Sequence, residues 1–402
     1  MTIPAPNARL SALGAVAFAL GEEMARLRAD LLGPVGSALD AAVAGVAEAD
    51  ELTPEVWKLL AESGWRLLDP RAANGISLDL ARLTVATEAL ATRRQTFVMP
   101  LLLSALASMP LVLDGTPEQQ KRLESIGAGR TRAAFALSEP GAGSDISATA
   151  SSARRVGDHY VLNGTKTWIS VPGEVDWLVM FTRAPDAKRA TELSCYLVEA
   201  AAPGVTITRR PAGLGMLAVP LCDVVLAEVS VPGDSLIGEE GKGFGIAMRA
   251  LNAVRPIVAA RGLGLVAGVI MAAQRYVEER SAFGETLVDL QLVRTKLADL
   301  AARLEASRLL TYHAAALVDR LGVGKKQAPI LSAAKLVATE LAVEAAGTCM
   351  HLAGAAGYTD ALPFARALRD AQQLTIVEGV SEVQLELVAR GLAERTLWWD
   401  RA

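Results

Sequence analysis

The chain has 402 residues, of which 51% are hydrophobic and 21% charged, and a formal net charge of -4. That is ample apolar material for a large core and more than one domain. The near-neutral balance, with only 4% aromatics, excludes a basic or basic-aromatic nucleic-acid footprint.

Three scattered cysteines (Cys195, Cys222, Cys349) make no disulfide framework or CxxC pair, which points to a reducing, cytoplasmic setting. The histidines (His159, His313, His351) have no metal-ligand spacing, so no metal is expected. Apolar residues at Leu10, Leu13, Ala17, Leu20, Met24, Leu27 and Leu31 recur on one helical face. The apolar run 10–20, preceded only by Arg9, therefore reads as an amphipathic helix and not as a secretory segment. No run offers the roughly 20 uninterrupted apolar residues of a membrane span.

Residues 1 to about 130 read as helices. Thr53 can cap one, with Pro54 in its first turn and Gly64 ending it. Helical patterning continues over 78–93 and 99–113, and Thr116-Pro117 opens a further short helix. From 131 to 235 the period changes to that of strands. Asn163-Gly164 lies between two β-prone runs and predicts a hairpin with a type I′ turn. Strand-length segments follow at 176–183, 193–199, 205–210 and 222–231, which gives a small antiparallel β domain. From 236 onward the chain returns to helix, over 244–280, 287–321 and 328–352. These are apolar on several faces and read as an antiparallel bundle.

Five stretches could carry chemistry. In Ala136-Leu-Ser-Glu-Pro-Gly-Ala-Gly-Ser-Asp145, Pro140 fixes φ while Gly141 and Gly143 free it. Such a loop can bring N–H groups and the Ser138 and Ser144 hydroxyls to a flat or anionic ligand. Read locally, it is a strand-ending turn. Trp168-Ile169-Ser170 closes a strand. Arg280-Ser-Ala-Phe283-Gly284, followed by Gln291, sits at a helix end where a cation suits the dipole. His351-Leu-Ala-Gly354-Ala-Ala-Gly357-Tyr358 reads locally as a helix C-cap. In Ile376-Val-Glu378-Gly379-Val-Ser381-Glu382-Val-Gln384, Gly379 breaks a helix and Ser381 with Gln384 predicts a capping box. Glu378 then occupies an interhelical bend, where a side chain can enter a cleft.

In this order, the five stretches resemble the signatures of the acyl-CoA dehydrogenase family. The resemblance covers nearly the whole chain. It implies a multi-domain α+β fold: an N-terminal α-helical domain (1–130), a middle antiparallel β domain (131–235) and a C-terminal four-helix bundle (236–402). It also implies FAD-dependent α,β-dehydrogenation of an acyl thioester, with Glu378 as base and the hydride going to flavin N5. Carried over residue by residue, the cofactor would meet Leu137, Ser138, Gly143, Ser144, Trp168, Ile169, Ser170, His351, Gly354, Val380 and Glu382. Arg280, Phe283 and Gln291 would meet the cofactor of a neighbouring subunit. Ser144, Asn252, Arg255, Glu378 and Gly379 would line the substrate. An acyl-CoA substrate, an electron-transfer flavoprotein as acceptor and a homodimer or homotetramer are implied with them.

The chain departs from the family at several points. Asp69-Pro-Arg-Ala-Ala-Asn-Gly75 stands where the family has Pro-Glu-x-x-Gly-Gly. His351 replaces a Gln and Ala355 a Gly; Val377 and Val380 replace a Tyr and a Thr. Val254 occupies the neighbourhood of the family's second possible base, which supports Glu378. Leu217, Val219 and Leu221 are apolar where an Arg and two hydroxyls are usual. These departures leave open a flavin oxidase or monooxygenase, a dehydrogenase of carrier-protein thioesters, and a non-catalytic subunit of a hetero-oligomer.

Overall fold

The computed structural model describes residues 21–63, 68–69, 77–127, 129–171, 173–394 and 396. The amphipathic helix expected over 10–20, the stop at Gly64 and the departure at 70–75 lie outside them. The chain opens with helices α1 (Glu22–Leu32), α2 (Pro34–Ala42) and α3 (Pro54–Glu62). A two-residue pairing of β1 (Leu68–Asp69) with β2 (Ser77–Leu78) precedes α4 (Leu80–Arg93), α5 (Met99–Asp114), α6 (Pro117–Gln120) and α7 (Arg122–Gly127). The caps are those the sequence implies: Thr53 Oγ1 accepts from the Val56 N–H, and Thr116 with Gln119 forms a capping box.

Next comes an eight-stranded sheet built from β3 (Ala133–Ala136), β4 (Ser152–Val156), β5 (His159–Ser170), β6 (Trp177–Arg183), β7 (Leu193–Glu199), β8 (Val205–Arg209), β9 (Leu221–Pro232) and β10 (Leu236–Ile237). Its order is β10-β7-β6-β4-β5-β9-β8, largely antiparallel, with β3 added in parallel to β6.

The hairpin does not turn at Asn163-Gly164. β5 runs unbroken through both residues, and the turn lies at Gly157-Asp158, between β4 and β5. Asn163-Gly164 instead marks a bulge, where the β5–β9 register shifts between Leu162 and Gly164. Asn163 is occupied by side-chain and backbone bonds to Glu228. A Cβ on Gly164 would stand 2.6 Å from Ser151 Cα, so glycine serves close strand approach and not reversal.

The rest of the described residues are mainly helical, apart from a small hairpin and short links. α8 (Gly243–Glu279) passes straight through Pro256, which is therefore interior and does not open a helix. The hairpin β11 (Ser281–Ala282) and β12 (Glu285–Thr286) leads to α9 (Gln291–Leu321), α10 (Ala328–Leu352), α11 (Phe364–Ile376) and α12 (Ser381–Ala393). One apolar core joins α1–α5 to α8–α11, a second fills the sheet's interior face, and a third seats α5, α7 and the start of α8 against it. Among the described residues, two helical stretches, Gln95–Asp114 and Gly243–Glu279, are long and apolar enough to cross a membrane by length and composition. Their apolar windows are 83% and 78% buried, as core helices require.

Candidate active site

The link between α11 and α12 is four residues, Val377 to Val380. Glu378 occupies the left-handed region at φ 51° and Gly379 follows at φ 100°. A non-glycine residue there is strained by about 1 kcal/mol or more, so its surroundings must hold it. Two buried side chains do so. Lys335 Nζ on α10 donates to the Gly379 carbonyl (2.9 Å), and Gln384 Nε2 donates to the carbonyls of Glu378 (3.1 Å) and Gly379 (2.9 Å). The expected capping box is thus absent. Val380 is the N-cap, Ser381 is already helical and bonds Glu340, and the Gln384 amide serves the turn instead.

The Glu378 carboxylate faces inward. Its Oε2 is shut off from solvent and has no hydrogen-bond partner among the described residues. Burial raises its pKa, against the opposing charges of Arg261, Lys335 and Arg255. Those cations carry the mirror effect. Burial lowers Arg255 and Arg261 to about 10 and Lys335 to about 8, with Glu378 holding each up. Arg255 bonds Asn252 and Ser332 Oγ (3.1 Å). The two predicted α8 residues, Asn252 and Arg255, are therefore joined beside Glu378.

A second group gathers at the sheet edge. Glu139 is buried in the loop after β3. It accepts from Lys166 Nζ (2.7 Å) and from the N–H groups of Ala150 (2.7 Å) and Ser151 (3.1 Å). Lys166, fully buried on β5, also bonds the Leu137 carbonyl (3.1 Å). Burial pushes Glu139 up, but Lys166 and the other donors outweigh it and hold the carboxylate low. This pair pins the loop carrying Leu137, Ser138, Gly143 and Ser144 against β5, and the Ser138 carbonyl accepts from the Thr167 N–H (2.9 Å). Beside them Trp168, at φ 60°, stays 56% exposed, with Ile169 buried and Ser170 half-buried. The Arg210 guanidinium lies 4.0 Å from the Trp168 ring centroid and is fixed by Asp223 at 2.8 Å to both oxygens.

The loop between β8 and β9 joins the two groups. Its Met216 N–H donates to Asp370 Oδ1 on α11 (2.7 Å), and its Pro220 carbonyl accepts from the Val171 N–H (3.0 Å).

Other predicted residues stay apart. Arg280 and Gln291 are exposed, as is Phe283 at 94% and φ 56°. Arg280 follows Arg255 by 25 positions along α8, about 37 Å at ~1.5 Å per residue. His351 is exposed in the last turn of α10 and Gly354 (φ 58°) just beyond it, while Val380 and Glu382 begin α12 near Glu378.

The sequence reading missed Arg261, Lys335, Gln95 and the Lys166–Glu139 pair. A signal existed for the first two: each charge interrupts an apolar helical run, Ala259-Ala-Arg261-Gly-Leu and Ala333-Ala-Lys335-Leu.

The residues present fit FAD. An exposed indole on a fixed edge offers a flat ring face beside N–H-rich loop backbone, and Arg280 makes no ion pair among the described residues. The comparisons agree. Residues 134–229 match the profile of the acyl-CoA dehydrogenase middle domain, and residues 241–393 that of the acyl-CoA dehydrogenase C-terminal domain. The chain belongs to the acyl-CoA dehydrogenase family, FAD-dependent oxidoreductases. It is 34% identical to the caffeyl-CoA reductase-Etf complex subunit CarC of Acetobacterium woodii, over 86% of this chain and 91% of that protein. It is 37% identical to the mitochondrial short-chain specific acyl-CoA dehydrogenase of Bos taurus, over 80% and 77%. The solved butyryl-CoA dehydrogenase from Megasphaera elsdenii superposes with TM-score 0.87 at 29% identity, covering 94% of this chain and all of the other (100%).

Proposed function

We propose that this chain removes the α-proton of an acyl-CoA thioester with Glu378, as the first half of α,β-dehydrogenation. The observation that carries this reading is the Glu378 carboxylate: strained, inward-facing, with one oxygen sealed from water and free of any bond among the described residues. Burial raises its proton affinity, which a base acting on a weak carbon acid needs. Arg261, Lys335 and Arg255 limit that rise by favouring the ionised form. Val377 and Val380 flank it with apolar surface in place of hydroxyls. The Glu378 N–H makes no hydrogen bond among the described residues, so it can donate to a thioester carbonyl gaining enolate character. When bound, FAD supplies the hydride acceptor. Ser138, Trp168 and Ser170 border its ring, while Leu137, Gly143, Ser144 and Ile169 complete that edge. Asn252, Arg255 and Gly379 line the thioester beside Glu378.

Arg280, Phe283 and Gln291 lie past the far end of α8, too far to reach the same centre within one chain. They complete the cofactor site of a neighbouring copy, so the working form is a homodimer or homotetramer. His351 and Gly354 offer the adenosine half an open edge. The relative that is a subunit of an Etf complex supports an electron-transfer flavoprotein as acceptor. Three buried free thiols suit a reducing cytoplasm.

The test is anaerobic titration of the FAD-loaded protein with a panel of acyl-CoAs, followed by flavin absorbance near ~450 nm. Wild type bleaches with at least one thioester, while Glu378→Gln retains FAD and does not bleach. Bleaching at wild-type rate in that variant overturns Glu378 as base. No bleaching by any thioester overturns the acyl-CoA reading.

A further inference from the structure

Resting on the thioester-dehydrogenase reading, we propose that the substrate's acyl group carries a second, anionic terminus, a carboxylate, and that Arg261 holds it. Arg261 is 0% exposed and follows Arg255 by six positions on α8. A buried charge is tolerated when it is paired, yet no carboxylate lies within ion-pair distance of Arg261 among the described residues. Its hydrogen bonds go to neutral acceptors only: Gln95 Oε1 (3.2 Å), Gln373 Oε1 (3.0 Å) and, weakly, Met216 Sδ (3.7 Å). The Gln95 amide is itself engaged, donating to the Arg261 carbonyl at 3.0 Å.

These partners place Arg261 beside the reacting centre. Gln373 stands five positions before Glu378 on α11, and Met216 lies in the loop that ties the sheet edge to α11. Charge does not balance there. Arg255, Arg261 and Lys335 are all buried, and Glu378 is the carboxylate they share. Asp370, the next acid, also acts on Arg261 through its charge, but it is engaged by the Met216 N–H and lies 3.6 Å from Arg366. Of the three cations, Arg255 bonds Asn252 and Ser332, and Lys335 is spent on the Gly379 carbonyl. Arg261, surrounded by amides, is the one whose planar fork suits an incoming carboxylate. An alkyl tail would leave this guanidinium buried with no carboxylate in hydrogen-bond reach among the described residues. A carboxylate tail supplies one and orients the acyl chain from its far end.

The test pairs chain-matched thioesters on the wild-type holoenzyme: succinyl-, glutaryl- and adipyl-CoA against butyryl-, pentanoyl- and hexanoyl-CoA. Anaerobic flavin bleaching gives a half-saturating concentration for each. We expect at least one carboxylated member to half-saturate at ~10-fold lower concentration than its alkyl match, the scale of a charge-assisted hydrogen bond. In Arg261→Gln that ratio falls toward one. The wild-type comparison stands even if the variant fails to load FAD. Equal or better bleaching by every alkyl member overturns the proposal while leaving the dehydrogenase reading intact. Retention of the carboxylate preference in Arg261→Gln overturns the assignment to Arg261. Bleaching by neither series overturns both readings together.

Discussion

Glu378 is costly to keep. Burial raises its pKa in the fold above its unfolded value, so ionising it costs more in the folded state than in the unfolded chain. A raised folded pKa contributes stability below the unfolded value and loses it as pH rises through the folded one. Glu378→Gln is therefore expected to raise Tm at pH ~8. The gain should shrink toward pH ~4, where the carboxyl is protonated in both states. Thermal unfolding at several pH values measures this, and a variant less stable than wild type at pH ~8 would show that the three cations outweigh burial. The Lys166–Glu139 pair behaves in the opposite way. Both members are buried and bonded, so removing one strands the other. Lys166→Met should cost about 3–5 kcal/mol in denaturant unfolding. Lys166→Met combined with Glu139→Gln should recover part of it, because the stranded charge is gone.

At the scale of elements, local pattern served the helices best. The 328–352 segment coincides with α10, and Thr116 caps where its neighbours imply, because cap chemistry acts within one turn. Strand spacing also carried the sheet nearly to its ends. Turn chemistry failed at Asn163-Gly164, where the deciding contact is Ser151, just before the neighbouring strand β4, which local sequence does not reveal. Glu378 was legible through the motif that contains it. Arg261 and Lys335 showed only as charges interrupting apolar runs, because what marks them as site residues is a tertiary fact: two helices, α8 and α10, bring their charges to one carboxylate. The two glycines of this hairpin region separate turn from bulge. Gly157 has φ 63° and open space around it, so Gly157→Ala should cost only about 1 kcal/mol of left-handed strain. Gly164→Ala must push Ser151 backbone aside and should cost at least twice that, roughly 2–4 kcal/mol. Equal losses in denaturant unfolding would mean that the strand approach at Ser151 relaxes freely.

At the scale of the whole molecule, two strongly exposed apolar residues fall close together in the chain. Phe283 (94%) and Leu292 (69%) cluster around the β11–β12 hairpin and the start of α9, alongside the exposed Arg280 and Gln291. Phe283 also takes a left-handed φ of 56°. A solvent-facing aromatic held in a strained backbone gains nothing within one chain. Both features make sense where a second copy covers them and brings its own flavin edge against Arg280. The purified holoenzyme should therefore run as a dimer or larger in light scattering. Phe283→Ser with Leu292→Ser should shift it toward monomer and release FAD in the same concentration range, since subunit contact and cofactor retention share these residues. A stable monomer that keeps its full complement of FAD would confine the cofactor site to one chain and leave the exposure of Phe283 without a role. Loss of FAD without loss of assembly would separate the two functions, placing the subunit contact elsewhere and the cofactor contact at Phe283.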